Sequence, residues 1–557
     1  MSVNLNIAEG SAGRRATGIC TPKEDKRPQR FSVPANRVIP IVFIPGIMGS
    51  NLRMTQSRQA RLGKKDNIAW NADKVGSMLE MRTFQPSARQ LRLDQAGTEV
   101  EIYDPVRNPT GNPKETADER HDAVVPSSEL KKSKSKYVLM DSESSTDKKK
   151  DAIEKKARRR GWGEVYFGSY KDLLQGCELS LNDLSSTKYW DGILDVSPST
   201  WGAIKESSLA PLSLKERNDA LRGCVFPVHA IGYNWLQGNM QSALIISRRI
   251  EELIAKYQSN GYDCRKVILV THSMGGLVTR AIVHPSIGGM SEKILGVIHG
   301  VMPAAGAPAA YKRVRCGVEG AGITAEILGP TGAKVSAVMA NSPGALELLP
   351  SAKYGNGWLK IVQGEQVIKK LPASGDPYAE IYQARNTWYG LLVDEWVNPA
   401  RDTEGGAERT RGYLANAKYF HELIADTYHA NSYAHYGVDS NRPSWETITW
   451  EVGPGSLSMM PDQWKVCSDS GNGSLQVLAG DTKHGNSSMI KVKLGPSTGP
   501  GDQTVPARSA DTQQASGRFK GIFRQHGYVH QDSYSDEKVL SSTIYCLVKI
   551  VQNMQWT

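Results

Sequence analysis

The chain has 557 residues, 39% of them hydrophobic, enough to bury a large core in one enlarged catalytic domain or in a core with an inserted domain. Its seven cysteines (Cys20, Cys177, Cys224, Cys264, Cys316, Cys467, Cys546) are odd in number, scattered and without a CxxC pair, which argues against structural zinc or a disulfide framework and for folding in a reducing cytoplasm. The net charge of +11 is concentrated in runs without interleaved aromatics, a pattern that does not point to nucleic acid.

The N-terminal stretch MSVNLNIAEGSAGRRATGIC has no apolar run after its charges, so no secretory signal is expected, and residues 1–36 read as an irregular extension. The α/β core is expected to begin at residue 37. In VIPIVFIPGIMGSNLRM (38–54), the run from Val38 to Ile44 suits a buried strand, and PGIMGSN must leave it as a tight glycine-rich loop. Should a nucleophile follow further along the chain, a loop of this kind can offer one backbone donor to a developing oxyanion, which here would be the N–H of Ile47; a plain strand-to-helix turn is the alternative.

Residues 107–160 carry KKSKSK, KKK and KKARRR and read as a solvated polar insertion, with attraction to anionic lipid headgroups as the functional alternative. Phe226 to Tyr233 suits a strand. Ile245, Ile250, Leu253 and Ile254 then mark a helix whose Arg248, Arg249, Glu251 and Glu252 would face water.

The next stretch is VILVTHSMGGLVTRA (268–282). Lys266 to Val270 is a β-branched apolar run, and Leu277, Val278, Ala281 and Ile282 recur at helical spacing after the turn. A serine at such a bend exposes its hydroxyl while the helix N-terminus turns backbone N–H groups toward negative charge, so Ser273 is a candidate nucleophile and the Met274 N–H a second oxyanion donor. The usual pattern is GxSxG; Thr271 replaces the first glycine, while Gly275 and Gly276 keep the rest. A further strand follows at Ile294 to Val301. It belongs to the most apolar stretch, ILGVIHGVMPAAGAPAA, which His299, Gly300 and Pro303 interrupt; this reads as a core strand entering a loop rather than a membrane span. Strand, helix, strand, helix, strand implies a mainly parallel sheet covered by helices on both faces.

Residues 311–490 fit that pattern poorly, mix helical and strand signals and are rich in Trp and Tyr; they read as a cap or lid inserted before the C-terminal part of the core, 491–557. His421, His429 and His435 lie in it, but not at zinc-site spacing, so neither metal nor cofactor is expected. STGPGDQTVPARSA (497–510) places Asp502 in a glycine- and proline-flanked loop, with Asp394 as the fallback acid. RQHGYVHQDSYSDEKVL places His526 and His530 before the last helix. Ser, Asp, His is the chain order of the α/β-hydrolases, but spacing alone does not choose between the two histidines.

Six stretches in order, PGIMGSNL, GYNWLQGN, THSMGGLVTRA, NSPGALELLPS, GDQTVPARSA and GYVHQDSYSD, resemble the motifs of lecithin:cholesterol acyltransferase-like and glycosylphosphatidylinositol-deacylase-like lipases. They resemble still more the bacterial phospholipase effectors delivered by type VI secretion, as does RRRGWGEVYFGSY at 158–170. The resemblance implies an α/β-hydrolase with an inserted lid, Ser273 as nucleophile, Asp502 as acid and His530 as base. It selects His530 because in the family a Tyr and an acidic residue, here Tyr534 and Asp536, follow the histidine. Thr271, and Gln503 where the acyltransferases often have Gly, depart from the pattern without removing a reacting group. It further implies a phospholipase A-type enzyme acting at a membrane surface. Such an enzyme is made in the producer cytoplasm, delivered to a competitor's envelope, and partnered by a cognate immunity protein and a type VI spike component. A housekeeping esterase, an acyltransferase of the same fold, or a silent binding protein on this scaffold are the competing functions.

Overall fold

The computed structural model describes residues 35–102, 124–140, 153–185, 188–320, 322–403, 405–455, 457, 459–479 and 488–556, and the backbone of four short strands before them. Those strands correct the expectation of an irregular extension: Asn6–Gly10 pairs antiparallel with Gly13–Thr17, and Ser2–Val3 pairs with Arg30–Phe31.

A six-stranded sheet is built from β1 (Ile41–Ile44), β2 (Val228–Ala230), β3 (Val267–His272), β4 (Ile294–Gly300), β5 (Ser432–Gly437) and β6 (Phe519–Gln525), in the order β2-β1-β3-β4-β5-β6. Every pairing in it is parallel. β1 is shorter than the apolar run suggested. Pro40, with no N–H to give, separates it from a two-residue strand, Arg37–Val38, that pairs with Cys224–Val225 instead.

Alternate side chains of β1 and β3 enter two separate cores, as a period of two requires, and β4 joins both after a register shift at Gly296. Ile41, Phe43, Ile268, Val270 and Ile298 pack on one face under α1 (Phe167–Asn182). Val42, Ile44, Leu269, Ile294 and Val297 pack on the other, under α2 (Asn239–Ser259) and α3 (Met274–Val283). The closing helix α4 (Glu537–Val551) lies on the first face. Each fully buried Ile or Val there contributes roughly 1.5–3 kcal/mol, which is why both faces are covered. In α2 the buried stripe is Ala243, Ile246, Ile250 and Ile254; Ile245 is exposed, and Arg249 reaches back to the buried Glu164 carboxylate at 2.7 Å.

Two expected segments differ. Within 107–160, Val124, Leu130, Leu139 and Ala157 join the first core, and the Arg160 side chain is buried with its Nη2 donating to the Met140 carbonyl. Glu178 of α1 accepts from the N–H of Leu139 and of Val228, at 2.6 and 2.8 Å, and so ties this segment to the sheet. The Lys148–Lys150 run lies outside the described residues. Nor is 311–490 one continuous insertion: it returns to the central sheet as β5, fully buried despite its His and Tyr content. Much of the rest builds a second six-stranded sheet, which includes Leu359–Gln363 and Met489–Leu494, and a core around Trp358, Trp450, Tyr311 and Tyr382, while helices such as Gly332–Met339 and Ala407–Ile424 also lend Val338, Phe420 and Ile424 to the core under α2 and α3. The aromatics of this region are thus largely its own core.

Candidate active site

Ser273 follows the last residue of β3 and precedes α3, with φ 52° and ψ −123°, outside the regions open to a residue bearing a Cβ. Two hydrogen bonds hold it there: its N–H donates to the Gly300 carbonyl and its own carbonyl accepts from Gly276, both at 2.9 Å. A Cβ at Gly275 would lie 2.4 Å from the Ile44 carbonyl oxygen and 2.6 Å from that of Pro45, so glycine is required where α3 crosses the end of β1. Thr271, one step inside the sheet, fits within buried β3, and its carbonyl accepts the Tyr534 hydroxyl at 2.7 Å.

The structure brings Ser273, His530 and Asp502 together. His530 Nε2 lies 2.9 Å from Ser273 Oγ, and His530 Nδ1 lies 2.8 Å from Asp502 Oδ2. The other carboxylate oxygen of Asp502 accepts the N–H of Thr504 at 3.1 Å and of Val505 at 2.7 Å, which fixes the carboxylate plane. Since Asp502 can only accept, the His530 proton sits on Nδ1 and Nε2 is free to receive the serine proton. Gln503 has φ 72°, the left-handed region, which explains why a glycine is the easier residue at this place.

His272, next to the serine, was not singled out by its sequence. It is buried, and Nε2–H donates to the His530 carbonyl at 2.9 Å while Nδ1 faces the Tyr170 hydroxyl at 3.2 Å. Burial, with the His530 and His435 rings nearby, pushes its pKa down to about 3, so it acts as a neutral strut for the His530 backbone. Tyr170 belongs to the RRRGWGEVYFGSY stretch, whose role is thereby visible.

The same stretch anchors the loop after β1. Tyr166 N–H donates to the Gly49 carbonyl at 2.9 Å, and Asn51 Nδ2 donates to that of Gly163 at 2.9 Å. Trp70 Nε1 holds the Met48 carbonyl at 2.8 Å, Tyr233 Oη holds that of Pro45 at 2.9 Å, and Gly49 N–H closes a turn on Gly46. Among the described residues, neither the Ile47 nor the Met274 N–H donates to a backbone carbonyl. A Cβ on Gly46 would lie 2.9 Å from Ser273 Cβ, so this loop presses directly on the serine.

A cavity of about 550 Å³ opens from Ser273 and His530. Its walls are mainly apolar, with Met48, Met78, Val314, Ile327, Val335 and Leu348 among them. It is of a size that takes a small-molecule or acyl ligand.

The remaining candidates lie elsewhere. His526 is exposed beside Gly527, outside the constellation, and Asp394 pairs with Arg411 at 3.3 Å. His421 is buried against the Glu347 carbonyl, His429 Nδ1 accepts from Asn431 N–H, and His435 is buried on β5. Among the described residues no group of three or more His, Cys, Asp or Glu is placed to hold a metal, and no helix is long and apolar enough to cross a membrane.

A parallel α/β sheet with Ser, His and Asp joined at its carboxyl edge is the α/β-hydrolase arrangement, and a hydroxyl so bonded is equipped for acyl transfer. No family profile matches the chain, and no curated protein matches it. Among solved structures the chain is similar to Tle4 as seen in the Tle4–Tli4 complex, with a TM-score of 0.71 and 29% identity over 93% of this chain and 99% of that one. This match agrees with the resemblance to a type VI secretion lipase effector carried by the ordered motifs.

Proposed function

We propose that the protein is a serine phospholipase that hydrolyses fatty-acyl esters of membrane phospholipids and serves as an antibacterial type VI secretion effector. The observation that carries the reading is the unbroken chain Asp502–His530–Ser273, with separations of 2.8 and 2.9 Å, opening into an apolar cavity. Ser273 Oγ attacks the ester carbonyl carbon as His530 Nε2 takes its proton; the carbonyl electron pair moves to oxygen, where the N–H groups of Ile47 and Met274 receive it. The tetrahedral carbon then expels the lipid alkoxide, which takes the proton from His530. Water, activated by the same ring, releases the fatty acid and restores the serine. Parts of the 311–490 segment serve as the lid, since Ile323, Ile327 and Leu328 cover one wall of the cavity.

Similarity to a protein solved in complex with a second chain supports a cognate immunity partner, and the effector reading carries with it a spike-apparatus partner and delivery to the envelope of target cells. A fluorophosphonate probe is expected to label Ser273 in the folded protein, and expression directed to the bacterial periplasm is expected to be toxic in a way that Ser273→Ala abolishes. No adduct on Ser273 removes the enzyme reading; equal toxicity of the two proteins removes the effector reading; transfer of the acyl group to an added alcohol in preference to water makes it an acyltransferase.

A further inference from the structure

We propose that Arg313, on the wall of the cavity beside the Asp502 loop, receives the phosphate of a glycerophospholipid and so favours phosphate-bearing esters over neutral ones. The inference rests on the phospholipase reading and names the group that reads the headgroup.

Arg313 lies on the helix Pro308–Cys316. Leaving histidine aside, it is the one charged side chain among the described residues lining the cavity. Its place along the cavity is set by Thr504, whose hydroxyl accepts from Arg313 Nη2 at 3.1 Å and whose N–H donates to Asp502 Oδ1 at 3.1 Å. The guanidinium is therefore two hydrogen bonds from the carboxylate that orients His530, close to the reacting groups. Its Nε donates to Glu319 at 3.1 Å, and Nη2 also reaches that carboxylate. Nη1, with two N–H groups, has no acceptor among the described residues.

Lys312 Nζ shares the same Glu319 carboxylate at 3.3 Å, so Arg313 and Lys312 both bond one carboxylate, while that of Asp502 is engaged by the Thr504 and Val505 N–H groups and by His530. Burial works against ionisation of Glu319, but Arg313 and Lys312 outweigh it and hold its carboxyl down at about 2. Glu319 thus stays charged and cannot release a second positive charge by protonation. A planar guanidinium with unused donors suits a phosphate oxygen, which a neutral diacylglycerol lacks.

The full-length protein, Arg313→Gln and Glu319→Gln are assayed in neutral-detergent mixed micelles on dioctanoyl-phosphatidylglycerol and on dioctanoylglycerol, and the ratio of the two kcat/KM values is read. Losing a hydrogen-bonded charge pair should lower that ratio by about 10- to 100-fold in Arg313→Gln. Glu319→Gln should raise it, because it removes the competing anion. Equal losses on both lipids in Arg313→Gln would mean that Arg313 only props the Asp502 loop, and an unchanged or lowered ratio in Glu319→Gln would mean that charge is not being read; either overturns the proposal. Wild-type protein that cleaves the diacylglycerol and not the phospholipid overturns the phospholipase reading itself, and with it this proposal, before any variant is needed.

Discussion

Ser273 sits at φ 52° and ψ −123°, where a Cβ is crowded by the neighbouring backbone. A non-glycine residue held in such a conformation costs about 1–3 kcal/mol, whereas glycine's greater freedom in the unfolded chain costs a structured position about 0.5–1 kcal/mol. At an ordinary site Ala→Gly destabilises. Here the strain term outweighs the entropy term, so Ser273→Gly should be more stable than Ser273→Ala by about 1 kcal/mol. Both variants lose the hydroxyl and its hydrogen bond to His530, so the comparison isolates the backbone. With an unfolding entropy of about 2.1 cal/mol/K per residue, 1 kcal/mol corresponds to a Tm difference of about 1 °C in a chain of this length, within reach of replicate differential scanning fluorimetry. Both should be inactive on soluble esters. A Ser273→Ala protein as stable as Ser273→Gly, or more so, would refute the claim that the bend is strained.

Asp502→Asn should lower kcat by about 10⁴-fold with the fold intact by circular dichroism, because the N–H groups of Thr504 and Val505 hold one amide position as an acceptor and turn the NH₂ toward His530, imposing the wrong tautomer; activity within a few-fold of wild type would exclude Asp502 as the orienting acid. Gly46→Ala puts a methyl 2.9 Å from Ser273 Cβ, and displacing one oxyanion donor should lower kcat by about 10²- to 10³-fold on a soluble ester; an unaffected kcat would detach this loop from the chemistry. Burial pushes His272, His299 and His435 down to about 3 and His421 to about 4, so below pH 6.5 the unfolded chain binds protons that the folded chain refuses. Stability should fall with pH from there by up to about 1.4 kcal/mol per pH unit for each ring, and a Tm that is flat from about pH 7 to 5 would contradict it. Glu347 runs the other way. Burial raises its carboxyl to about 8, so its contribution is present below the ordinary value of 4.5 and is lost as pH rises to about 8. Glu347→Gln should accordingly gain Tm over wild type across that window, and parallel profiles for the two proteins would count against it.

The local parts of this protein were legible in its sequence. Continuous β-branched runs announced β1, β3 and β4, because a strand covered on both faces has no polar side to show. The glycines at 275 and 276 announced the bend at Ser273, because only a missing Cβ lets α3 approach the Ile44 and Pro45 carbonyls. What depends on partners distant in the chain was not legible. Spacing left His526 and His530 equal; the structure separates them because His530 is tied to Asp502 through backbone and ring and to His272 through its carbonyl, while His526 faces water. Ser432–Gly437 looked like part of an insertion, since it lies in a Tyr-rich stretch of mixed helical and strand signals without a continuous aliphatic run, yet its place between β4 and β6 buries it throughout. Leu130, Leu139 and Ala157 sit among lysines and arginines, and only the facing surface of α1 turns them into core. Periodicity and turn chemistry act over a few residues and are written in the chain. Which surface a segment meets, and hence which of its polar groups are desolvated or bonded, is set by the closing of the whole sheet.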